Sequence, residues 1–458
     1  MKLKGNLANF KCTFGDYDIR GVVGDSFSVE YAYLIGKAFG STIQCKHAKT
    51  VAVGYDRRQS SVDFQKAYIQ GLLDSGANVI DLGRVSTAYT SLSYRFINAD
   101  AATMITASHN PPKYNGFKFY LRGNNFFGDS LIELYDRISS GSFFEGEGSY
   151  SKASFMNEYV HFLFKNLNVS RNKAIWDAGH GIAGDILPHI AKFLPTDHIF
   201  YRTEVSNNVD CFDNTKSEFL QQTCAFLKKH PGYIAFSFDG DADRMVVTDE
   251  SGNVWTGDEI IFLFSSFIAF ERNRQICSVW DSKSSKTLIK YAEQLGVKSI
   301  LSKTGHCYVV DAIKKNNAAF GGEISGHYMF NDKFFCVDDG IYAALRILDV
   351  LEYSSYTLAQ MKELIPEVWT SKLFRINCNN LDKYEVMGHI KDSLIRDNKM
   401  VELIHDSLVI NHPNGWWLVR PSQTENAISA RCEGWTQSSY EEVRDFMEAI
   451  ITSCGLSL

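Results

Sequence analysis

The residues best suited to chemistry lie in the stretch TASHNPPKYNGFKFY, residues 106–120. Ser108 stands next to His109, and two of the chain's eight prolines, Pro111 and Pro112, follow directly. Proline fixes its own φ and keeps the residue before it extended, so the Ser–His step is predicted to be rigid. Neighbouring side chains on an extended chain point to opposite sides. We therefore do not expect His109 to act as the base for Ser108.

Lys118 is the cation of this stretch that is best placed to meet a phosphate. Asn115 and Gly116 favour a tight turn, which we expect to return Lys118 toward Ser108. A rigid hydroxyl near a lysine suits phosphate chemistry, because ligands gather at the carboxyl ends of parallel strands and Ser108 follows such a strand. The alternative is a plain serine-containing turn without a function.

Three aspartates alternate in the stretch YIAFSFDGDADRMVVTD, at Asp239, Asp241 and Asp243. On a tight loop their carboxylates can face one side and offer oxygen ligands to a divalent cation. An EF-hand is excluded, because Arg244 occupies the sixth position, where glycine is needed, and the flanking segments have strand character. Three carboxylates with few other ligands favour Mg²⁺, which would be held jointly by the carboxylates and a phosphate oxygen. Arg244 can bind the same phosphate through two hydrogen bonds. A solvated acidic loop is the alternative.

Two further loops carry groups that recognise sugars and phosphates. In GGEISGHYMF, Glu323, Ser325 and His327 alternate, so their side chains can share a face and hydrogen-bond the hydroxyls of a sugar. An ordinary glycine-rich turn with a hydrogen-bonded histidine fits the same pattern. In RPSQTEN, residues 420–426, a guanidinium, two hydroxyls and an amide fit phosphate recognition without catalysis.

Strand and helix patterns alternate along most of the chain, which indicates parallel βαβ units in an α/β fold. Three apolar runs end in an aspartate and open into a loop: VAVGYD at Asp56, KAIWDAG at Asp177 and CSVWDS at Asp281. We interpret the repetition as three similar α/β domains; the alternative is that unrelated parallel strands happen to end in aspartate. After Ile365 and Pro366, strands and helices without crossovers predict an α+β domain. The predicted domains cover residues 1–150, 151–253, 254–366 and 367–458.

The composition is that of a globular chain without features of nucleic-acid or membrane binding. The 458 residues carry a formal net charge of −6, and the basic stripe typical of nucleic-acid binding is absent from the sequence. The most apolar stretch, residues 260–270, is too short to span a bilayer and is predicted to be a buried helix. The start of the sequence lacks the apolar run of a signal peptide, and the ten cysteines include no Cys-x-x-Cys pair. We therefore expect a cytoplasmic protein with unpaired, buried thiols.

Taken together, these loops resemble those of the α-D-phosphohexomutase family, in the group of phosphomannomutases and phosphoglucomutases. The family's serine loop is similar to TASHNPPKYNGFK, its metal loop to DGDADR, its sugar loop to GEISGH and its phosphate loop to RPSQTE. The stretch FGDYDIRG, residues 14–21, is similar to the family's opening motif. The matches follow the family's order over nearly the whole chain.

The resemblance implies a fold and an activity. It implies three related α/β domains and a C-terminal α+β domain around a central active-site cleft. Ser108 would give its phosphoryl group to a hexose monophosphate and take the other phosphate back from a hexose 1,6-bisphosphate. Such a transfer needs charge neutralisation and alignment more than covalent help. The implied cofactor is Mg²⁺ and the implied ligand a hexose phosphate, with no nucleic acid or membrane partner and a monomer or homodimer as the assembly.

The resemblance also assigns roles to individual residues of this sequence. The implied metal ligands are Asp239, Asp241 and Asp243, with the phosphate on Ser108. The transfer site would be lined by Tyr17, Arg20, His109, Lys118 and Arg244. The other ligand contacts would come from Lys283, Lys303, Thr304, Gly305, His306, Glu323, Ser325 and His327. The phosphate that is not transferred would be held by Arg420, Ser422, Gln423 and Thr424.

The identity of the sugar and of the general base stays open at this stage. The base is either Lys118 or His327. Gln423 and Asn426 stand where the family usually has asparagine and proline, and glutamine has more rotamers to restrict. Ile324 is apolar, which favours mannose and glucose mutases over glucosamine mutases, so we expect a phosphomannomutase that also acts on glucose phosphates. The alternatives are a phosphoglucosamine mutase, a metal-dependent sugar phosphatase and a non-catalytic sugar-phosphate-binding protein.

Overall fold

The structure is a computed structural model that describes residues 10–206, 212–379, 381–396, 401–422 and 426–457. The chain divides into two compact units. The first contains the described residues up to Gly257 together with Ser325–Lys362, and the second contains Asp258–Ile324 and the described residues from Glu363 onwards.

Helices and strands alternate along the described chain, as the sequence predicts. The helices are α1 (Val29–Cys45), α2 (Ser61–Asp74), α3 (Thr87–Ser91), α4 (Ser93–Ile97), α5 (Asp129–Ser140), α6 (Met156–Phe164), α7 (Ala183–Ala191), α8 (Ser217–Leu227), α9 (Gly257–Arg272), α10 (Lys286–Gln294), α11 (His306–Asn316), α12 (Gly340–Glu352), α13 (Leu358–Leu364), α14 (Lys383–Arg396) and α15 (Gln437–Ser453). The strands are β1 (Ile19–Val22), β2 (Thr50–Tyr55), β3 (Asn78–Arg84), β4 (Ala101–Ile105), β5 (Tyr114–Leu121), β6 (Asn124–Asn125), β7 (Tyr150–Lys152), β8 (Ala174–Asp177), β9 (Ile199–Tyr201), β10 (Ile234–Phe238), β11 (Met245–Thr248), β12 (Ile276–Asp281), β13 (Val297–Ser302), β14 (Phe320–Gly322), β15 (Tyr328–Phe330), β16 (Trp369–Thr370), β17 (Phe374–Asn377), β18 (Val401–Ile404), β19 (Ser407–His412), β20 (Gly415–Pro421) and β21 (Ala427–Gly434).

The first sheet of the first unit has the strand order β1-β5-β4-β2-β3-β7, with β6 beside β5. Strand β2 runs parallel to β3 and β4, whereas β5 runs antiparallel to β4 and β1. Helices α1 and α2 pack their apolar faces with the sheet into one core, which includes Phe39, Phe64 and Phe117. Strand β4 lies in the centre of this sheet, and the Ser108 loop follows its carboxyl end.

The prediction of a tight turn at Asn115 and Gly116 is wrong, because both residues lie inside β5. The chain reverses earlier, where the N–H of Tyr114 donates to the carbonyl of Pro111 at 3.0 Å. Gly116 then pairs with β1 so closely that a Cβ atom there would lie 2.1 Å from the carbonyl oxygen of Ile19. The glycine is therefore explained by close approach of two strands and not by a turn.

The second sheet of the first unit has the strand order β11-β10-β8-β9. Strand β8 runs parallel to β9 and β10, and β11 closes the sheet antiparallel to β10. The short connection between β10 and β11, residues 239–244, carries the three alternating aspartates. The loop thus joins two strands and not two helices, which confirms that it is no EF-hand.

The second unit contains a parallel set of strands in the order β13-β12-β14 and an antiparallel sheet in the order β16-β21-β20-β19-β18. Strand β17 also pairs with β21. Helices α14 and α15 contribute to the apolar core of the antiparallel sheet, which contains Trp417, Val386 and Val443. The predicted α+β architecture of the C-terminal part is confirmed, whereas the boundary near Ile365 and Pro366 stays a prediction.

The three strand-end aspartates share one local geometry. In each case a carboxylate oxygen accepts the main-chain N–H of the residue two positions later. The three pairs are Arg58 N to Asp56 at 3.0 Å, Gly179 N to Asp177 at 3.0 Å, and Lys283 N to Asp281 at 3.1 Å. The aspartate thus closes the turn that leaves the strand. This repetition agrees with the predicted similarity of the three α/β domains.

The apolar segment at residues 260–270 forms the interior of α9, and most of its side chains are buried. Within the described residues, no helix combines the length and the apolarity needed to cross a membrane. The nine described cysteines form no disulfide. Four of them are buried, but Cys12 and Cys45 are exposed, so the prediction of buried thiols is only partly confirmed.

Helices α1 and α2 approach each other at glycines. A Cβ atom at Gly36 would lie 2.2 Å from the carbonyl oxygen of Tyr68, which is main chain and cannot move aside. We expect Gly36→Ala to destabilise the first unit by about 2 kcal/mol and to lower its Tm by about 4–8 °C, as overpacking does. Gly388→Ala is the control, because nothing lies within 4 Å of its added Cβ. Differential scanning calorimetry that shows equal Tm values for Gly36→Ala and the wild type would contradict this packing.

Candidate active site

Ser108 lies in a tight turn directly after β4, where the N–H of Asn110 donates to the carbonyl of Ala107 at 2.9 Å. The serine is buried and has a left-handed backbone with φ of 49°. Its Oγ donates to Oδ2 of Asp239 at 2.8 Å and lies 3.3 Å from Nδ1 of His109. The expectation that His109 points away from Ser108 is therefore wrong, since it assumed an extended serine and the backbone here is left-handed.

The aspartate loop brings its three carboxylates together, as predicted. Asp239, Asp241 and Asp243 are all buried, and one oxygen from each lies within 4.8 Å of the others. The loop passes directly beside the serine: a Cβ atom at Gly240 would lie 2.5 Å from the carbonyl oxygen of Ser108. A glycine at this position therefore permits the close approach of the two loops.

The three carboxylates differ in the cations and hydrogen-bond donors that contact them. The Nζ of Lys118 donates to Oδ2 of Asp241 at 2.8 Å and contacts Oδ2 of Asp243, and the hydroxyl of Thr87 donates to Asp241 at 2.6 Å. Burial raises the pKa of Asp239 well above its usual range, and the charges of Asp243 and Asp241 raise it further. Burial and Asp243 would also raise the pKa of Asp241, but Lys118 outweighs them and lowers it.

Lys118 is held by the aspartates. Burial alone would lower the pKa of Lys118, but the attraction of Asp241 and Asp243 raises it well above its usual value. The side chain is only 3% exposed. A lysine in this position neutralises charge at the centre of the site.

Two arginines flank the serine and the aspartate loop. Arg20 donates to Asn110 Oδ1 at 2.6 Å and to the carbonyl of Ala107 at 3.2 Å, and forms an ion pair with Asp18. Burial would lower its pKa, but the attraction of Asp18 and Tyr17 raises it above the ordinary value. Tyr17 therefore lies close to Arg20, and the role of both in lining a transfer site stays a prediction.

Arg244 is the second of these arginines and contacts both Asp239 and His327. Its Nε lies 3.8 Å from Asp239 Oδ2 and donates to Nε2 of His327 at 3.0 Å. Nδ1 of His327 lies 2.9 Å from Asp338 Oδ2 and 3.6 Å from Asp243 Oδ1. His327 thus connects Arg244 to two carboxylates, and the sequence pattern gave no sign of Asp338 as a partner.

The three aspartates suit a hard divalent cation. Mg²⁺ is typically bound by oxygen ligands from one or two carboxylates, completed by water and by phosphate. Oδ1 of Asp241 is buried and has no hydrogen-bond partner among the described residues, so it is available as a ligand. The triad Asp239, Asp241 and Asp243 could therefore hold a metal ion directly beside the hydroxyl of Ser108.

The second unit gathers a separate set of the predicted residues around Lys283. Its Nζ donates to Asp281 Oδ2 at 2.6 Å and to Thr304 Oγ1 at 2.7 Å. Burial lowers the pKa of Lys283, although Asp281 opposes that shift, and the nearby charge of Arg420 lowers it further. Glu323 accepts the main-chain N–H of Gly305 at 2.7 Å. These side chains supply charge and hydroxyl groups suited to a phosphosugar.

The remaining predicted contact residues have the following places. Lys303 Nζ lies 3.3 Å from the hydroxyl of Tyr308, and His306 is buried with Nε2 3.2 Å from Cys307 Sγ. Arg420 is paired with Asp406 at 3.0 Å, and the N–H of Ser422 donates to Ala427 at 2.8 Å. Ser325 belongs to the first unit and Glu323 to the second, so the expectation that they share a face with His327 stays a prediction. Gln423 and Thr424 lie outside the described residues.

Sequence reasoning missed several residues that contact the site. The sequence pattern identifies Asp56 only as a strand end and does not indicate Arg58, Thr87, Thr106 or Asp406. A basic residue two positions after a strand-end aspartate occurs at both Arg58 and Lys283. That repeated spacing is the sequence signal that could have identified Arg58.

Comparisons with known proteins agree with this fold. Four family models match in chain order, described as Phosphoglucomutase/phosphomannomutase alpha/beta/alpha domains I, II and III and the C-terminal domain. The matched residues are 11–144, 154–252, 256–368 and 373–450. Together they cover most of the chain.

Individual relatives and a solved structure give the same result. A phosphomannomutase/phosphoglucomutase of Pseudomonas syringae pv. tomato is 32% identical over 440 residues, covering 95% of this chain and 94% of the relative. A phosphoglucomutase of Neisseria gonorrhoeae is 31% identical over 448 residues, covering 96% of each. The crystal structure of a phosphoglucomutase/phosphomannomutase family protein of Burkholderia thailandensis superimposes with a TM-score of 0.88 at 28% identity, covering 98% of this chain and 99% of that one.

Three α/β domains followed by an α+β domain, with a buried serine against an aspartate triad, define a phosphohexomutase, which is an isomerase. The chain belongs to the phosphoglucomutase/phosphomannomutase family.

The aspartate triad leads to a prediction about metal binding. We expect Asp241→Asn to weaken Mg²⁺ binding by roughly 100-fold, since loss of a ligand costs at least as much as loss of an outer-shell partner. Asp249→Asn is the matched control, because Asp249 is equally buried but bonds only within its own turn, to Ser251 and Asn253. Isothermal titration calorimetry is the measurement. Equal Mg²⁺ affinities for the wild type and Asp241→Asn would remove the triad as the metal site.

Proposed function

We propose that this protein is a phosphomannomutase that interconverts mannose 1-phosphate and mannose 6-phosphate and also accepts glucose phosphates. The reaction would proceed through phosphorylated Ser108 and a hexose 1,6-bisphosphate intermediate. The observation that carries the proposal is the 2.8 Å contact between Ser108 Oγ and Asp239, inside a buried set of three carboxylates. A phosphorylated serine at this position would lie against the groups best able to bind a cation.

The proposed chemistry is two phosphoryl transfers in opposite directions. In the first, a sugar hydroxyl oxygen bonds to phosphorus and loses its proton to a base, while the bond between phosphorus and Ser108 Oγ breaks and the released Oγ takes up a proton, which it gives up again in the second transfer. In the second, Ser108 Oγ attacks the other phosphate of the bisphosphate, and a proton returns to the sugar oxygen that is released. Lys118 and His327 are the two candidates for the base.

The cations around Ser108 would stabilise the charge of the phosphoryl group. Phosphoryl transfer depends chiefly on alignment and on neutralisation of the three phosphoryl oxygens. Arg20, Arg244 and Lys118 all contact the serine turn or the aspartates beside it. Mg²⁺ held by the triad would supply further positive charge when bound.

The part of the ligand that does not react would be held by the predicted sugar and phosphate loops. We assign the sugar hydroxyls to Glu323, Ser325 and His327, with Lys283 and residues 303–306 nearby. The distal phosphate is assigned to Arg420, Ser422, Gln423 and Thr424. The buried Arg420 and the nearby charge of Lys283 support an anion site in the second unit. We also propose that the first three domains end at residues 150, 253 and 366.

The preference for mannose rests on Ile324, whose side chain is apolar where a glucosamine-specific enzyme would use a polar group. An apolar residue beside the sugar loop leaves an amino group without a hydrogen-bond partner, which disfavours glucosamine phosphates. The cytoplasmic location and a monomeric or dimeric assembly complete the proposal.

Turnover measurements on Ser108→Ala test the proposal. With Mg²⁺ and a hexose 1,6-bisphosphate activator, the wild type is expected to convert mannose 1-phosphate to mannose 6-phosphate. Ser108→Ala is expected to lose at least roughly 10³-fold in kcat, since removal of a nucleophile has effects of that order or larger. Ser91→Ala is the control, because Ser91 is also buried but donates only to its own helix at Ala88.

The same assay, followed by ³¹P NMR, separates the competing functions. Inorganic phosphate as the main product would indicate a phosphatase. Faster conversion of glucosamine 1-phosphate than of mannose 1-phosphate would assign the protein to the glucosamine mutases. No conversion of any hexose phosphate by the wild type, or full activity of Ser108→Ala, would refute the proposed reaction.

A further inference from the structure

The turn that carries Ser108 is held by Arg58, whose side chain is buried at 5% exposure. A guanidinium has five N–H donors in a fixed fork, and all five have acceptors here. The acceptors are Asp56 Oδ2 at 3.1 Å, the carbonyls of Ser108 and Asn110 at 2.7 Å each, that of Pro111 at 2.8 Å and that of Tyr114 at 3.0 Å. Four of the five bonds therefore go to main-chain carbonyls of the segment 108–114, which begins with Ser108 and ends at the first residue of β5.

Thr106 provides a second connection between the serine and Asp56. The main-chain N–H of Ser108 donates to Thr106 Oγ1 at 2.8 Å, and that hydroxyl donates to Asp56 Oδ2 at 2.7 Å. The other carboxylate oxygen of Asp56 accepts the hydroxyl of Ser61 at 2.6 Å. Both the N–H and the carbonyl of Ser108 are thus tied to one buried carboxylate, through Thr106 on one side and Arg58 on the other.

These bonds oppose the intrinsic preference of the serine backbone. A non-glycine residue seldom adopts a φ of 49°, and an isolated serine turn would relax toward extended or right-handed geometry. The left-handed conformation is the one in which Ser108 Oγ meets Asp239. Strained backbone of this kind persists only where the surroundings over-determine it, and Arg58 and Thr106 are those surroundings.

We propose that Arg58 and Thr106, acting through Asp56, are positioning residues that fix the direction of the Ser108 hydroxyl for phosphoryl transfer. The inference rests on the proposed role of Ser108 as phosphate carrier. In-line transfer requires alignment, and a misplacement of about 1 Å can cost on the order of 100-fold in rate. Neither residue needs to touch the sugar, so their loss is expected to change kcat and to leave KM unaltered.

Thr106→Val and Thr106→Ser form the most discriminating pair of variants. Valine replaces the hydroxyl with a methyl group and removes both hydrogen bonds, whereas serine keeps the hydroxyl. We expect Thr106→Val to lose at least about tenfold in kcat, with KM within about twofold of the wild type, as a misaligned nucleophile would. Thr106→Ser is expected to restore kcat to near the wild-type value. Equal kcat values for valine and serine would overturn the role of Thr106.

Arg58→Lys tests the second connection against a matched buried arginine. Lysine keeps the charge but cannot reach four carbonyls and a carboxylate, so kcat is expected to fall by about 100-fold. Arg346→Lys is the control, because Arg346 is fully buried on α12 and paired with Asp332 and Asp349 at 2.9 Å each. It is expected to lower Tm while kcat stays near the wild-type value. A similar fall in kcat for both variants would show that Arg58 only stabilises the fold.

Ser108→Ala is measured in parallel to separate failure of this inference from failure of the proposed function. An active Ser108→Ala refutes the proposed reaction. An inactive Ser108→Ala, together with wild-type kcat in Thr106→Val and Arg58→Lys, overturns the positioning role alone. If Arg58→Lys does not fold, the Thr106 pair decides the question.

Discussion

The contact on which the site depends is that between the hydroxyl of Ser108 and the carboxylate of Asp239, because it joins loops that follow strands of two different sheets. Three buried carboxylates within 4.8 Å repel one another strongly. Lys118 and Thr87 compensate Asp241, and Arg244 lies near Asp239. The arrangement is stable only because each negative charge has a positive or hydrogen-bonding partner, and a divalent cation would satisfy the same requirement.

The fold positions the residues around this contact with a turn structure that recurs at the ends of three strands. A parallel strand ends in an aspartate whose carboxylate closes the following turn, as at Asp56, Asp177 and Asp281. In the first case the aspartate also holds Arg58, which fixes the serine turn. In the third it holds Lys283, which lies near the charge of Arg420. The same local structure thus positions a buried cation in each of the two units.

The order of strands and helices, the aspartate triad and the change to α+β architecture could be predicted from the sequence, because periodicity and spacing are local properties. The side of Ser108 on which His109 lies could not be predicted, because the φ of 49° depends on bonds to Arg58 and Thr106. Arg58 is distant in sequence, and the residue type of Thr106 does not reveal its bond to Asp56. Asn115 and Gly116 have the composition of a turn, yet pairing of β5 with both β4 and β1 outweighs that local preference. The errors arise where long-range contacts override local propensity.

The central claim is that the phosphate carried by Ser108 and the metal bound by the triad share one site. The most direct measurement is the ³¹P NMR spectrum of the phosphorylated protein during titration with Mn²⁺, a paramagnetic substitute for Mg²⁺. If the phosphate and the metal share one site, one equivalent of Mn²⁺ will broaden the phosphoserine resonance beyond detection. A resonance that stays sharp at saturating Mn²⁺ would place the metal away from Ser108 and contradict the account.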